Sequence, residues 1–244
     1  GSPVLQNITL RDEHGIVVGQ IAELRLVYDP TALLHKRLKI QTIDVVQLQL
    51  TLAQEPDGSL NILNLLSSVQ PTNPTATAPS FALEIDNLYI RDGELRLQFP
   101  ALPGAQKLER LQVHLSIQQD KEKLRLRVLQ LTTHASPANL EIHALQGALQ
   151  KLGHVMQLDN VRLQTDQAAF DANGVLPGGV QDASLTLHAQ SHDLTEIGRL
   201  LQNDVLQGPA DLMLKAEGPP ETVEIHGQLN ATSGHIELPR VVSM

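Results

Sequence analysis

His188 and His192 stand four residues apart, the spacing at which two imidazoles on one helical face can grip a metal ion. The stretch Leu185-Thr186-Leu187 just before them reads as strand, and a helical pattern begins only after His192, so the two rings are expected to part. His226 and His235 flank a turn that could bring them together, with no better case for a metal pair. The chain has no cysteine, which removes thiolate sites and disulfides but leaves the compartment open. Acidic residues such as Glu84, Asp86, Glu141 and Glu224 alternate with apolar ones, the spacing of a solvated sheet face rather than of a catalytic carboxylate pair. Arg91, Arg96, Arg125 and Arg127 are placed to pair with those acids across strands and to discourage edge aggregation. No nucleophile elbow, Walker loop or dinucleotide fingerprint occurs. The expectation is a protein that is not an enzyme, with no catalytic residue, metal or cofactor.

The elements that position these residues are strands. Phe81-Ala82-Leu83-Glu84-Ile85-Asp86 and Gly93-Glu94-Leu95-Arg96-Leu97-Gln98-Phe99 alternate apolar and polar side chains, laying an aliphatic row on one face of a sheet and charges on the other. That row is almost purely Leu, Ile and Val, because aromatics make up only 2% of the 244 residues. A sandwich core usually includes Phe, Tyr or Trp to fill the space between layers. An aliphatic face suits flexible hydrocarbon chains instead. With 41% hydrophobic residues the chain buries substantial surface, as one elongated β domain or two compact ones. A net charge of −9, with Lys and Arg scattered singly, argues against nucleic acid as a partner. Gly1-Ser2 resembles a residual cloning linker, so the chain is expected to be a piece of a longer protein, and no apolar run in it nears the ~18 residues of a membrane span.

Along the chain, residues 3–66 form an N-terminal β module. A turn at Arg11 to Gly15 makes a hairpin, and Asp29-Pro30 caps and opens a short helix ending near Arg37. Strand resumes from Ile40 to Leu52, and Asn61 is placed to cap a single helical turn. Residues 67–80 carry Pro71, Pro74 and Pro79 among small polar residues and read as a mobile loop. Residues 81–190 form an antiparallel meander with turns at Asp92-Gly93, Pro103-Gly104, Asp120-Lys121, Ser136-Pro137, Asn173-Gly174 and Pro177-Gly178-Gly179. The apolar phase slips by one residue at Asn87-Leu88, which predicts a β-bulge or bend. Residues 191–240 pair a capped helix, opened by Asp193-Leu194-Thr195-Glu196, with further strands that weakly repeat the first unit.

The segments Leu83-Glu84-Ile85-Asp86-Asn87-Leu88-Tyr89-Ile90-Arg91-Asp92-Gly93-Glu94-Leu95 and Asp57-Gly58-Ser59-Leu60-Asn61-Ile62 resemble the AsmA-like superfamily, most closely its TamB branch. So does Asp193 to Leu201 followed by Leu206-Gln207-Gly208-Pro209-Ala210-Asp211-Leu212. The order of elements in the first unit also suits the AsmA branch, and the choice between the two stays open. The resemblance implies a mainly β fold, a long antiparallel curled sheet forming an open trough with a few short helices. It implies a parent anchored in the inner membrane, with this segment in the periplasm, and phospholipid acyl chains as cargo moving between inner and outer membranes. It also implies a possible Omp85-type outer-membrane barrel as partner.

On that footing the expected lining is Leu83, Ile85, Leu95, Leu97, Val113, Leu115, Leu124, Leu126, Leu140, Ile142, Leu185, Leu187, Leu212, Leu214, Val223 and Ile225. Alternation alone favours the core of a sandwich or closed barrel, and it is the resemblance that reverses the preference. Two further functional readings stand beside the conduit. One is a scaffold or chaperone for outer-membrane protein assembly, working by sheet-edge pairing. The other is an adhesin or β spacer with a packed core. In a conduit, the arginines have a second possible role, holding lipid phosphates at the trough rim.

Overall fold

The computed structural model describes residues 3–12, 15–35, 37–54, 61, 82–99, 106–120, 123–137, 139–153, 155–176, 183–193, 195, 208–219, 222–231, 234–238 and 241–242. The chain is mainly β. Its strands are β1 (Val4–Arg11), β2 (Val17–Asp29), β3 (Arg37–Ala53), β4 (Ala82–Gln98), β5 (Gln106–Gln119), β6 (Lys123–Ser136) and β7 (Leu140–Leu152). They continue as β8 (Val155–Thr165), β9 (Ala168–Leu176), β10 (Ala183–Ser191), β11 (Ala210–Gly218), β12 (Val223–Ala231), β13 (Gly234–Leu238) and β14 (Val241–Val242). All belong to one 14-stranded sheet in which β1 to β13 lie side by side in chain order and β14 pairs with β12. β1 and β13 do not pair, so the sheet is a long open ribbon and not a barrel. At about 4.8 Å per strand it extends roughly 60 Å in the hydrogen-bonding direction.

The local signals explain the elements. Asp29 accepts hydrogen bonds from the Thr31 amide at 2.9 Å and its hydroxyl at 2.6 Å, opening a 3-10 helix at Pro30–His35 where proline loses no bond. Asp12 closes the first hairpin by accepting from the Ile16 amide through Oδ1 at 2.8 Å. Asp120 does the same for Lys123 at 2.9 Å. Asp193 accepts from the Thr195 amide at 3.0 Å, as an N-cap should, and Thr195 is helical; the remainder of the expected helix, Glu196 to Leu201, lies outside the described residues. The loop at 67–80 and the turns at Pro103-Gly104 and Pro177-Gly178-Gly179 also lie outside them.

Two expectations are corrected. The strands are not uniformly antiparallel: β3 and β4 run parallel, every pair offset by the same 45 residues from Arg37↔Ala82 to Ala53↔Gln98. A parallel neighbour requires a long crossover, which residues 54–81 supply. Asp92-Gly93 and Asn173-Gly174 do not turn the chain but lie inside β4 and β9. Asn61 is helical, and the rest of the turn it is expected to cap lies outside the described residues; its buried side chain also accepts from the Ala53 amide at 3.1 Å and donates to the Thr51 carbonyl at 2.9 Å, fastening residue 61 to β3.

The strands hold their faces by means of bulges. In β4 the inward residues are Leu83 and Ile85, then Leu88 and Ile90, then Gly93, Leu95 and Leu97. The register shifts between Ile85 and Leu88 and again beside Gly93, so the slip at Asn87-Leu88 is a bulge. Asn7, Gln47, Asp92, Arg110 and Asn160 all sit within strands at positive φ, between 48° and 54°. Three of them are Asn or Asp, the types that best tolerate the left-handed region, and each of the five marks a point where a straight strand would turn its apolar row the wrong way.

Candidate functional site

All the expected lining residues fall on one face of the sheet. Strand partners share a face, and the chain of partners can be followed across the whole ribbon. Leu5 pairs with Leu24, Leu24 with Val45, Val45 with Ile90, Ile90 with Val113 and Val113 with Leu131. The row goes on through Leu145, Leu163, Phe170, Ala189 and Leu212 to Leu229. Every position from β1 to β12 is apolar. A second row runs Ile40, Ile85, Ile117, Leu126, Leu149, Leu158, Gly174, Leu185, Ala216 and Ile225. The remaining expected residues join these rows by two-residue alternation or by pairing, as Leu140 does with Ala135 and Leu187 with Leu214.

The face is shielded but not packed over. Ile85 (6%), Val113 (8%) and Leu140 (9%) are buried, while the other expected lining residues are half-buried. Among the described residues the largest side chain removed almost wholly from solvent is Thr133, at 2%. A sandwich core would bury Leu and Ile that completely. Here extensive contact among the described elements runs only between hydrogen-bonded neighbours and between the 3-10 turn and β3.

The rows include residues that alternation counted from a fixed phase does not find. Ile90, Leu131, Leu145 and Leu163 lie on the apolar face only because a bulge precedes or follows them. The signal in the sequence is an apolar residue three positions after the last inward one instead of two, at Leu88, Leu131, Leu145 and Val161, with alternation resuming from there to Ile90 and Leu163. Phe170 is the aromatic member of the long row, half-buried between Leu163 and Ala189.

The opposite face is polar. Lys39, Glu84, Gln118, Arg125, Gln150 and Gln157 are successive partners on it. Arg91 lies 3.2 Å from Asp44, and Arg96 2.9 Å from Glu94. Lys107 reaches Glu109 at 2.6 Å and Glu94 at 3.0 Å. The hydrogen bond to Glu109, then that to Glu94, holds its ammonium above the ordinary value; in return both carboxylates are held down, chiefly by Lys107. Lys39 is raised in the same way by Glu84 and Asp86. Tyr89 stacks on His114 with ring centroids 4.4 Å apart, placing the β4 tyrosine outside the apolar face.

His188 lies on β10, 3.2 Å from Asp211, whose carboxyl is held low first by Gln190 and then by His188. His192 falls beyond the end of that strand, so the two imidazoles do not share a helical face. Among the described residues no group of three His, Asp or Glu side chains gathers as a metal set.

Compared with protein-family models, curated proteins and solved structures, the chain finds no match.

Proposed function

We propose that the apolar face is a groove for phospholipid acyl chains, in a periplasmic segment of a TamB- or AsmA-like envelope protein that conducts lipid between the inner and outer membranes. One observation carries the proposal: the row from Leu5 to Leu229 crosses β1 to β12 without a polar interruption. Exposing one acyl chain of ~16 carbons to water costs on the order of 12 kcal/mol at roughly 0.8 kcal/mol per methylene. A continuous aliphatic surface divides that barrier into small steps, because each displaced methylene meets equivalent contacts one strand further on. Half-buried Leu and Ile support the same use, since a guest would remove from water the surface the fold leaves exposed.

The test is site-specific photocrosslinking from residue 126 in the parent protein within cells. Labelled phospholipid is expected at position 126 and not at 150, which lies on the polar face. Equal labelling at both positions, or none at 126, rejects the groove.

A second reading has its own observation. Among the described residues nothing pairs with the outer edge of β1, and Val4 (49%), Leu5 (55%) and Ile16 (62%) are exposed beside it. Such an edge is suited to adding a strand of another polypeptide, as a scaffold for outer-membrane proteins would with an Omp85-type barrel. Crosslinks from position 5 to nascent barrel strands would favour it.

A further inference from the structure

Among the depressions on the polar face is one of about 480 Å³ whose lining includes Arg125, Arg127, Arg162, Gln146 and Asn160. We infer that it is a binding site for a phosphate-type oxyanion. Its position has a structural cause. Three adjacent strands depart from regular pairing at the same level: β6 between Val128 and Leu131, and β8 between Leu158 and Val161, with Gly147 of β7 between them. The β8 bulge is fastened, since the Asn160 amide, at a φ of 48°, donates to Asn173 Oδ1 at 2.6 Å. β7 fits beneath it only because residue 147 is glycine: a Cβ there would lie 2.7 Å from Val161 Cα. Aligned bulges draw the backbone inward and re-aim the flanking side chains around the dent.

Its charge is unusual for an acidic chain. Arg162 is held by Asp171 at 2.9 Å, and Asp159 accepts from Gln157 Nε2 at 2.6 Å. Arg125 and Arg127 form no ion pair with any described residue, which leaves the three arginines in excess of the two carboxylates by one positive charge. Arg125 Nε is shielded from solvent and has no hydrogen-bond partner among the described residues. A buried donor without an acceptor is costly, and an oxyanion oxygen would satisfy it. The guanidinium fork suits phosphate in a way that a lysine would not. Gln146 and Asn160 add amide donors at the margin. The oxyanion could be free phosphate or the headgroup of an anionic lipid. Because the dent lies on the face opposite the apolar rows, it operates whether or not those rows hold acyl chains.

The experiment titrates inorganic phosphate into the chain by calorimetry, beside flotation with vesicles of phosphatidylglycerol or of phosphatidylcholine alone. Wild type is expected to bind phosphate saturably or to float with phosphatidylglycerol only. The first outcome names free oxyanion as the ligand, and the second names the headgroup. The double variant Arg125→Gln, Arg127→Gln, which removes the charges but keeps a polar amide at each position, is expected to weaken whichever binding is seen by about tenfold or more. Arg91→Gln, remote on the same face, serves as the control and should leave it within about twofold. Binding that survives the double variant, binding weakened equally by Arg91→Gln, or no binding in either assay overturns the site. Circular dichroism on each variant confirms that the sheet is retained.

Discussion

Gly174 of β9 and Leu185 of β10 are strand partners so close that a Cβ on residue 174 would lie 2.6 Å from Leu185 Cα and 2.2 Å from the Ser184 carbonyl oxygen. Both contacts are with backbone, which has no rotamer to yield. Gly174→Ala therefore has to push two paired strands apart, and the expected loss is at least the ~1–3 kcal/mol of an overpacked core. Urea unfolding of the purified chain measures it. A midpoint equal to wild type would show that the strands lie further apart at this point than described.

The apolar rows make a different prediction at Leu126, whose partners are Ile117 and Leu149. Leu126→Asp or Ile142→Asp places a charge on the surface an acyl chain would cover, while both sites remain half-open to water. Binding of a fluorescent fatty acid should fall by about tenfold or more, with the far-ultraviolet strand signal preserved. In the parent, the same variants should abolish lipid delivery. Wild-type delivery by either would reject the groove.

Thr133 is the deepest side chain described, and its hydroxyl donates to the Glu109 carbonyl at 2.9 Å where β5 bulges. Thr133→Val keeps the shape but strands that carbonyl. A loss of about 1–3 kcal/mol is expected by denaturant titration. Thr133→Ser, which retains the hydroxyl, should recover part of it.

The ion pairs predict a pH profile. Glu94 and Glu109 are held below their ordinary value of 4.5, chiefly by Lys107, so their contribution is present above 4.5 and disappears as pH falls through their lowered folded values. Asp29, held down by Thr31, and Asp211, held down by Gln190 and His188, act in the same direction below 3.8. The thermal midpoint should therefore drop on acidification below about pH 4.5. Lys107→Met should flatten the drop. At the other end, Lys39 and Lys107 are raised above 10.5, and what they contribute is complete below that value and lost only as pH rises through their folded values. A profile flat from pH 5 down to 3 would mean that these pairs are too solvent-screened to matter.

Much of this architecture was legible in the residues. Alternation placed Leu83, Ile85, Leu185 and Leu187 on one face, and the slip at Asn87-Leu88 marked a true bulge. Asp92-Gly93 and Asn173-Gly174 misled because hairpin turns and bulges draw on the same chemistry, a short polar residue followed by glycine. The flanking residues held the distinction: apolar alternation resumes at once after Gly93, as it would in a continuing strand. The parallel pairing of β3 with β4 left a fainter trace. Because β3 and β4 are parallel and not a hairpin, no hairpin signal announces their pairing, only a matching order of apolar positions 45 residues apart. The arginine-lined dent was not legible at all. It depends on which side chains three bulges bring together: Arg125 and Arg127 read as outer-face charges, with lipid phosphate at the trough rim as an alternative, and nothing in the sequence joined Arg162 to them.

Because each strand leans on its chain neighbours and on little else, span in this architecture is counted out hairpin by hairpin. Excising β8 and β9 together would bring β7 alongside β10 with the original up-and-down alternation intact, shortening the ribbon by about 10 Å. Losing a single strand would instead reverse the direction of everything downstream. Reach is thus adjusted in even increments, and a gene gains or sheds length by duplicating or dropping hairpins without redesigning the remainder.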